Sequence, residues 1–213
     1  MLETQHTQLV TSSKLTAWYA VIEYFRLFRR GVPSPQQAPP RATDSIPSSE
    51  ERRQLEFLRS TMAKNVVVGG QEGVNVLIQQ WRRYSTYFDD LQLHLRHVSQ
   101  ASEVVFTASA TLCVTISETT IRRVFSHLDF APTTDRQQVK MPTLRSNLLG
   151  RRLKLPYRVM FEWDEEIKQV ERVDTMIDFF TPIFHAVGTI EDAAFVMENA
   201  RINLDSSIGE PSN

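Results

Sequence analysis

Two stretches alternate with a period of two for longer than most strands run. From Val104 to Ile116 the apolar positions are Val104, Phe106, Ala108, Ala110, Leu112, Val114 and Ile116, with Thr107, Ser109, Thr111, Cys113 and Thr115 between them. From Leu153 to Trp163 they are Leu153, Leu155, Tyr157, Val159, Phe161 and Trp163, set against Arg152, Lys154, Arg158 and Glu162. This period predicts strands with one buried and one wetter face. At about 3.3 Å per residue such strands reach roughly 40 Å. Strands of that length bend, and a bent antiparallel sheet roofed by helices encloses a pocket.

The rest of the chain supplies the roof. Residues 13–30 read as an amphipathic helix, with Ala17, Val21, Tyr24, Phe25 and Phe28 on one side and Ser12 or Ser13 as cap. Gly31 and Pro33 end it. The segment 31–49 is Pro-rich and reads as an internal linker. A second helix starts near Ser48 or Ser49 and carries Leu55, Phe57, Leu58 and Met62; a turn at Gly69-Gly70 follows. A third helix spans about 73–87, with Leu77, Trp81, Tyr84 and Phe88 facing in. Leu91, Leu93 and Leu95 mark a first strand before the two long ones. Residues 117–150 read as an insertion, a short helix and then a polar loop around Pro132 and Pro142. A fourth strand is predicted over 168–179, a helix from Thr181-Pro182, and a last helix behind the Thr189–Asp192 cap. Residues 1–13 and 203–213 read as a leading tail and a frayed tail around one domain, 14–202. Helices, then an antiparallel meander, then helices is an α+β order.

Composition narrows the function classes. The 213 residues have a formal net charge of −1, which exerts no global pull toward nucleic acid or an acidic membrane. One cysteine, Cys113, excludes an internal disulfide framework and fits a reducing compartment. The opening MLETQHTQLV lacks the basic start and apolar core of a secretory signal, and no apolar run approaches a membrane span. An intracellular protein, nuclear or cytoplasmic, is expected, with no membrane partner.

The order of elements resembles the nuclear transport factor two-like superfamily, which includes the SnoaL-like polyketide cyclases. The strings that carry this are VIEYFRLFRRG, the helix opening at Gly73 with Trp81 near its middle, LQLHLRHV, and GRRLKLPYRVMFEWDEEIKQVERVDTMID. The phrases EYFRLFRRG, QLEFLRSTMAKNV, TISETTIRRVFSHL and TPIFHAVGTIEDAAFVMENA resemble the C-terminal domain of oomycete bZIP-type transcription factors. The resemblance implies a cone-shaped fold, three N-terminal helices on a strongly curved antiparallel sheet of four or more strands, plus C-terminal helices. It also implies a role as a ligand-sensing or association domain without catalysis. The expected partners are an apolar small molecule and a second copy or a zipper-containing relative. No Asn-plus-Arg basic stretch or heptad precedes the first helix, so the chain reads as the pocket domain alone, a fragment or truncated product. Direct DNA contact is therefore not carried over. The alternative is a small isomerase, cyclase or dehydratase that moves protons with a pocket carboxylate, since superfamily enzymes place an acid/base carboxylate or His–Asp pair in the cone.

For that alternative the candidates are Asp174, Asp178, His94, Tyr157 and Tyr84, with Asp174 foremost because it stands in the matching phrase Arg172-Val173-Asp174. The bland reading of Asp174 is a surface carboxylate, since a one-residue slip after Glu171 sends it to solvent. His94 and His97, three apart, are expected on opposite faces. With His127 and His185 isolated as well, no metal site and no cofactor are expected. Cys113 has no activating base in the sequence. Gly69-Gly70-Gln71-Glu72-Gly73 lacks the Gly-Lys-Ser/Thr ending of a phosphate loop and reads as a turn. The Arg pairs 29–30, 52–53, 82–83, 122–123 and 151–152 are scattered over separate elements, as solvated faces are. The aromatics are mainly core; Trp18, Phe25, Trp81, Tyr84, Phe106, Leu112, Tyr157, Phe161 and Asp174 are the candidates for lining a pocket.

Overall fold

The computed structural model describes residues 16–33, 48–129 and 135–209. The leading tail, most of the Pro-rich linker and Pro132 lie outside the described residues. The long alternations form one six-stranded sheet in the order β2-β1-β6-β5-β4-β3. Here β1 is Met62–Val68, β2 Gln71–Glu72, β3 Asp89–Gln100, β4 Val105–Thr115, β5 Arg152–Asp164 and β6 Gln169–Ile177. All neighbours are antiparallel except β1 and β6, which run parallel.

Register shows why one face is dry. Phe106 pairs with Phe161, Ala108 with Val159, Ala110 with Tyr157, Leu112 with Leu155 and Val114 with Leu153. Paired residues point the same way, so the two alternations merge into a single apolar face. Helix α1, residues 16–27, lies on it. Tyr24 meets Phe161 edge-on at 5.3 Å between ring centroids, and Phe25 meets Tyr157 at 6.2 Å. Helices α2 (Ser49–Thr61) and α3 (Val74–Tyr87) complete the amino-terminal roof. The Ser48 hydroxyl accepts from the Glu51 N–H, starting α2 as its sequence predicts. Buried Gln54 donates from Nε2 to the carbonyls of Leu27 and Gly31, at 2.9 and 2.8 Å, and so closes the end of α1. Gly31 has φ +70°, and a Cβ there would come within 2.1 Å of the Ser85 Oγ. Only glycine fits that turn.

Four expectations are corrected. Met62 opens β1 instead of ending the second helix. Val66, Val67 and Val68 favour extended backbone, and β1 gains a parallel partner in β6 that no local pattern announces. The polar loop expected around Pro142 is α5, Asp135–Leu148, with Pro142 inside it. Met141, Leu144 and Leu148, spaced three and four apart, are buried there, and that packing outweighs the proline. It stands with α4 (Glu118–Arg123), α6 (Phe180–Val187) and α7 (Ile190–Glu198). The tail after Asn203 is not frayed throughout. Up to residue 209 it folds back, with Ile202 bridged to Ile208 and Ile208 fully buried. Finally, β3 pairs Leu95 with Ala110 and His97 with Ser109, leaving Arg96 as an extra residue. That bulge resets the alternation, so His94 and His97 share the outer face instead of flanking the strand.

Candidate functional site

A small hollow of about 50 Å³ lies between α1, α3 and the inner face of β4, β5 and β6. Its apolar wall includes Val68, Leu77, Leu112, Val173 and Ile177. Its polar groups include three phenols and an indole, Tyr24, Tyr84, Tyr157 and Trp81, beside Gln71, Gln80 and Thr175. Each aromatic reaches the hollow because of its period. Tyr24 is on the apolar stripe of α1, Trp81 and Tyr84 are three apart on α3, and Tyr157 is on the inner parity of β5.

The polar groups are tied to one another. Trp81 Nε1 donates to the Tyr24 hydroxyl at 2.8 Å. Tyr24 is hydrogen-bonded to Tyr157, which also engages Thr175. Tyr84 donates to the Ser206 carbonyl. Burial is the first cause that pushes the pKa of all three phenols up, well above the usual value for Tyr24 and Tyr84. A raised phenol keeps its proton at neutral pH, so the hollow presents neutral hydroxyls. Asp205, Ser206 and Ser207 form one rim. Asp205 Oδ1 accepts from the Ser207 N–H at 3.0 Å and from the Ser207 hydroxyl at 2.6 Å.

The expected site residues divide. Trp81, Tyr84, Leu112 and Tyr157 line the hollow. Trp18, Phe25, Phe106 and Phe161 belong to the packed core instead, with Trp18 edge-on to Phe106 at 5.7 Å. Asp174 is displaced altogether. Glu162 pairs with Arg172 but Trp163 pairs with Val170, so Glu171 is extra and the parity of β6 resets there. Val173, Thr175 and Ile177 turn inward, and Asp174, opposite Met160, turns outward. His94, opposite Thr111, lies on that outer face and contacts Gln92 at 3.3 Å. The carboxylate and imidazole foreseen for proton transfer therefore do not converge with Tyr157. Asp178 instead accepts from the Thr181 N–H at 3.0 Å, at the start of α6.

The remaining candidates have structural surroundings. Cys113 is a buried free thiol. Among the described residues no group of three or more His, Cys, Asp or Glu could hold a metal ion. His185 is exposed beside Phe184. Of the Arg pairs, Arg82 is bound to buried Glu51, Arg83 donates to the Ile208 carbonyl at 2.9 Å and Arg151 to the Asn147 carbonyl at 3.0 Å. No described helix is long and apolar enough to cross a membrane. Sequence reasoning missed Tyr24, Thr175 and the Asp205–Ser207 rim as site residues. Tyr24 was within reach, since it shares the α1 stripe with Phe28 and faces Trp81. The rim comes from a polar segment whose only hint is the pair Ile202 and Ile208.

The outer face of β3 to β6 carries a separate open groove of about 490 Å³. His97, Thr107, Ser109, Arg158, Asp174 and Met176 line it. Met176, 66% exposed, is among the large apolar side chains left in solvent.

A SnoaL-like polyketide cyclase from Agrobacterium tumefaciens is 14% identical, with 64% of this chain and 87% of that one covered at a TM-score of 0.44. A protein of unknown function from Exiguobacterium, described as NTF2-like, is 11% identical, with coverages of 75% and 98% and a TM-score of 0.44. IdmH, a putative polyketide cyclase from Streptomyces antibioticus, is 12% identical over 65% of this chain and 89% of its own, at 0.41. No curated protein matches the chain. Residues 18–87, running from α1 through α3, match the model of the BZIP transcription factor 1 C-terminal domain, so the resemblance read from the sequence holds over that stretch.

Proposed function

We propose that this chain is a ligand-sensing and association module related to the C-terminal domain of bZIP-type regulators, working by binding and not by bond-making. One observation carries the reading: the hollow gathers Tyr24, Tyr84, Tyr157 and Trp81, all neutral donors at physiological pH, in a mostly apolar wall. Such a lining holds a small apolar molecule and fixes its orientation through a few hydroxyls. The carboxylate of β6, Asp174, faces the other way, and the rim carboxylate, Asp205, is already bound by the N–H and hydroxyl of Ser207. Ligand occupancy would favour the conformation that binds it, and so bias what the outer face does. That face presents Arg158 and Asp174 together around exposed Met176. In a two-fold contact between identical chains, Arg158 of one copy would face Asp174 of the other across Met176.

Phenol is a suitable probe. It is expected to raise the melting temperature of the chain saturably, by mass action on the folded state. Leu77→Phe fills the hollow and should abolish the rise, while Asp174→Asn should leave it intact. The reading fails if phenol produces no rise in the parent, or if the rise survives in Leu77→Phe.

A further inference from the structure

Ser206 bonds to two walls of the hollow from its rim. Its carbonyl accepts from the Tyr84 hydroxyl, and its Oγ accepts from the backbone N–H of Ile177 at 2.7 Å. The two donors belong to α3 and β6, the fixed walls of the hollow. The two acceptors belong to a short segment that crosses the rim. Ser206 is 5% exposed and is held at φ +61°, a left-handed conformation that a non-glycine residue adopts at a cost. The segment is anchored beyond the hollow: Ile208 is fully buried, its N–H donates to Gln80 Oε1 at 3.1 Å and its carbonyl accepts from Arg83.

We infer that residues 201–209 form a displaceable strap whose Ser206 stands in for the two-oxygen head of the ligand, a small carboxylic acid with an apolar body. The inference rests on the binding role proposed above and names its ligand class. Four points converge on it. Two buried donors, Tyr84 Oη and Ile177 N–H, converge on oxygens that the walls themselves do not provide. Left bare in an apolar wall, both would carry a desolvation penalty, so an incoming pair of oxygens is the favoured replacement. Asp205 stands at the same rim, and a Cβ on Gly69 would lie 2.4 Å from its Oδ2. Its negative charge would leave with the strap as a carboxylate enters, so the exchange keeps the local charge constant. The hollow of about 50 Å³ is smaller than the roughly 150 Å³ cavity that holds a benzene ring. Moving Ser206 supplies the missing room.

The test titrates the full chain, Ile208→Ala, Arg83→Ala and the double variant Ile208→Ala/Tyr84→Phe with benzoate, and with toluene as the same-sized body without oxygens. Ile208→Ala and Arg83→Ala weaken the strap's anchor without touching either donor or the lining of the hollow. Apparent affinity scales with the open fraction, so both should bind benzoate about tenfold more tightly than the parent. Adding Tyr84→Phe should lower the affinity for benzoate relative to that for toluene by roughly fivefold or more, since toluene makes no bond to that hydroxyl. Amide exchange at Ile177 should accelerate in the anchor variants and slow again when benzoate is added. Equal benzoate affinity in parent and anchor variants, with both folded by circular dichroism, overturns the strap while leaving the hollow as a binding site. Loss of both benzoate and toluene binding in every variant overturns the hollow as well. Should Ile208→Ala not fold, Arg83→Ala decides the same comparison.

Discussion

Trp81 donates its indole N–H to the hydroxyl of Tyr24 at 2.8 Å, fastening α3 to α1 directly over the sheet. Both side chains are almost completely buried, so neither has water as an alternative partner. Tyr24→Phe removes the acceptor and keeps the ring. The cost should be about 1–3 kcal/mol, the penalty for a buried donor left unpaired. Urea unfolding of the two proteins measures it; equal midpoints would mean the bond does not matter.

The phenols set an alkaline limit. Tyr24, Tyr84 and Tyr157 have folded pKa values raised by burial. In the unfolded chain they ionise near the ordinary value of about 10. The folded state therefore holds more protons above that pH. The stability these groups contribute is fully present below it and is lost as pH rises toward the folded values. Absorbance titration at the tyrosinate band should show three of the five tyrosines ionising only with unfolding. Free titration of all five in the folded state would contradict this.

His127 sets an acid limit. Its ring packs edge-on against Phe195 at 5.6 Å. Burial lowers its pKa, with the Asn199 backbone opposing the shift. A histidine whose folded pKa is depressed binds protons more readily when unfolded. Its contribution is intact above about 6.5, the unfolded value, and falls as pH drops below it. His127→Phe should flatten the decline of stability between neutral pH and the acid range. An unchanged slope would remove His127 from the account.

The outer face should associate. Light scattering of the parent chain is expected to show a dimer at micromolar concentration. Met176→Arg places a cation beside Arg158 at its centre and should weaken the dimer by about tenfold or more, as truncating a central apolar anchor does. A monomeric parent would contradict the association role.

Much of the fold is legible because period survives in the sequence. Val105–Thr115 and Arg152–Asp164 lie within a residue of where alternation puts them. The Thr189 cap, accepting from the Asp192 N–H, begins α7 as the sequence announces. What is not legible depends on partners far away in the chain. The parallel strand at Met62–Val68 exists because β6 is there to pair with it. The site is harder still, since single extra residues decide it. Glu171 turns Asp174 outward and Arg96 puts His94 and His97 on one face, and neither bulge leaves a mark in the hydrophobic pattern. Ser206 reaches Tyr84 across 122 positions through a mostly polar segment, beyond any local rule.

The most direct measurement is a methyl-resolved NMR titration of the parent chain with toluene. Saturable shifts at Leu77, Leu112, Val173 and Ile177, with Met160 and Met176 silent, are the predicted result. Shifts confined to the outer-face methionines, or none at all, would contradict an interior built for binding.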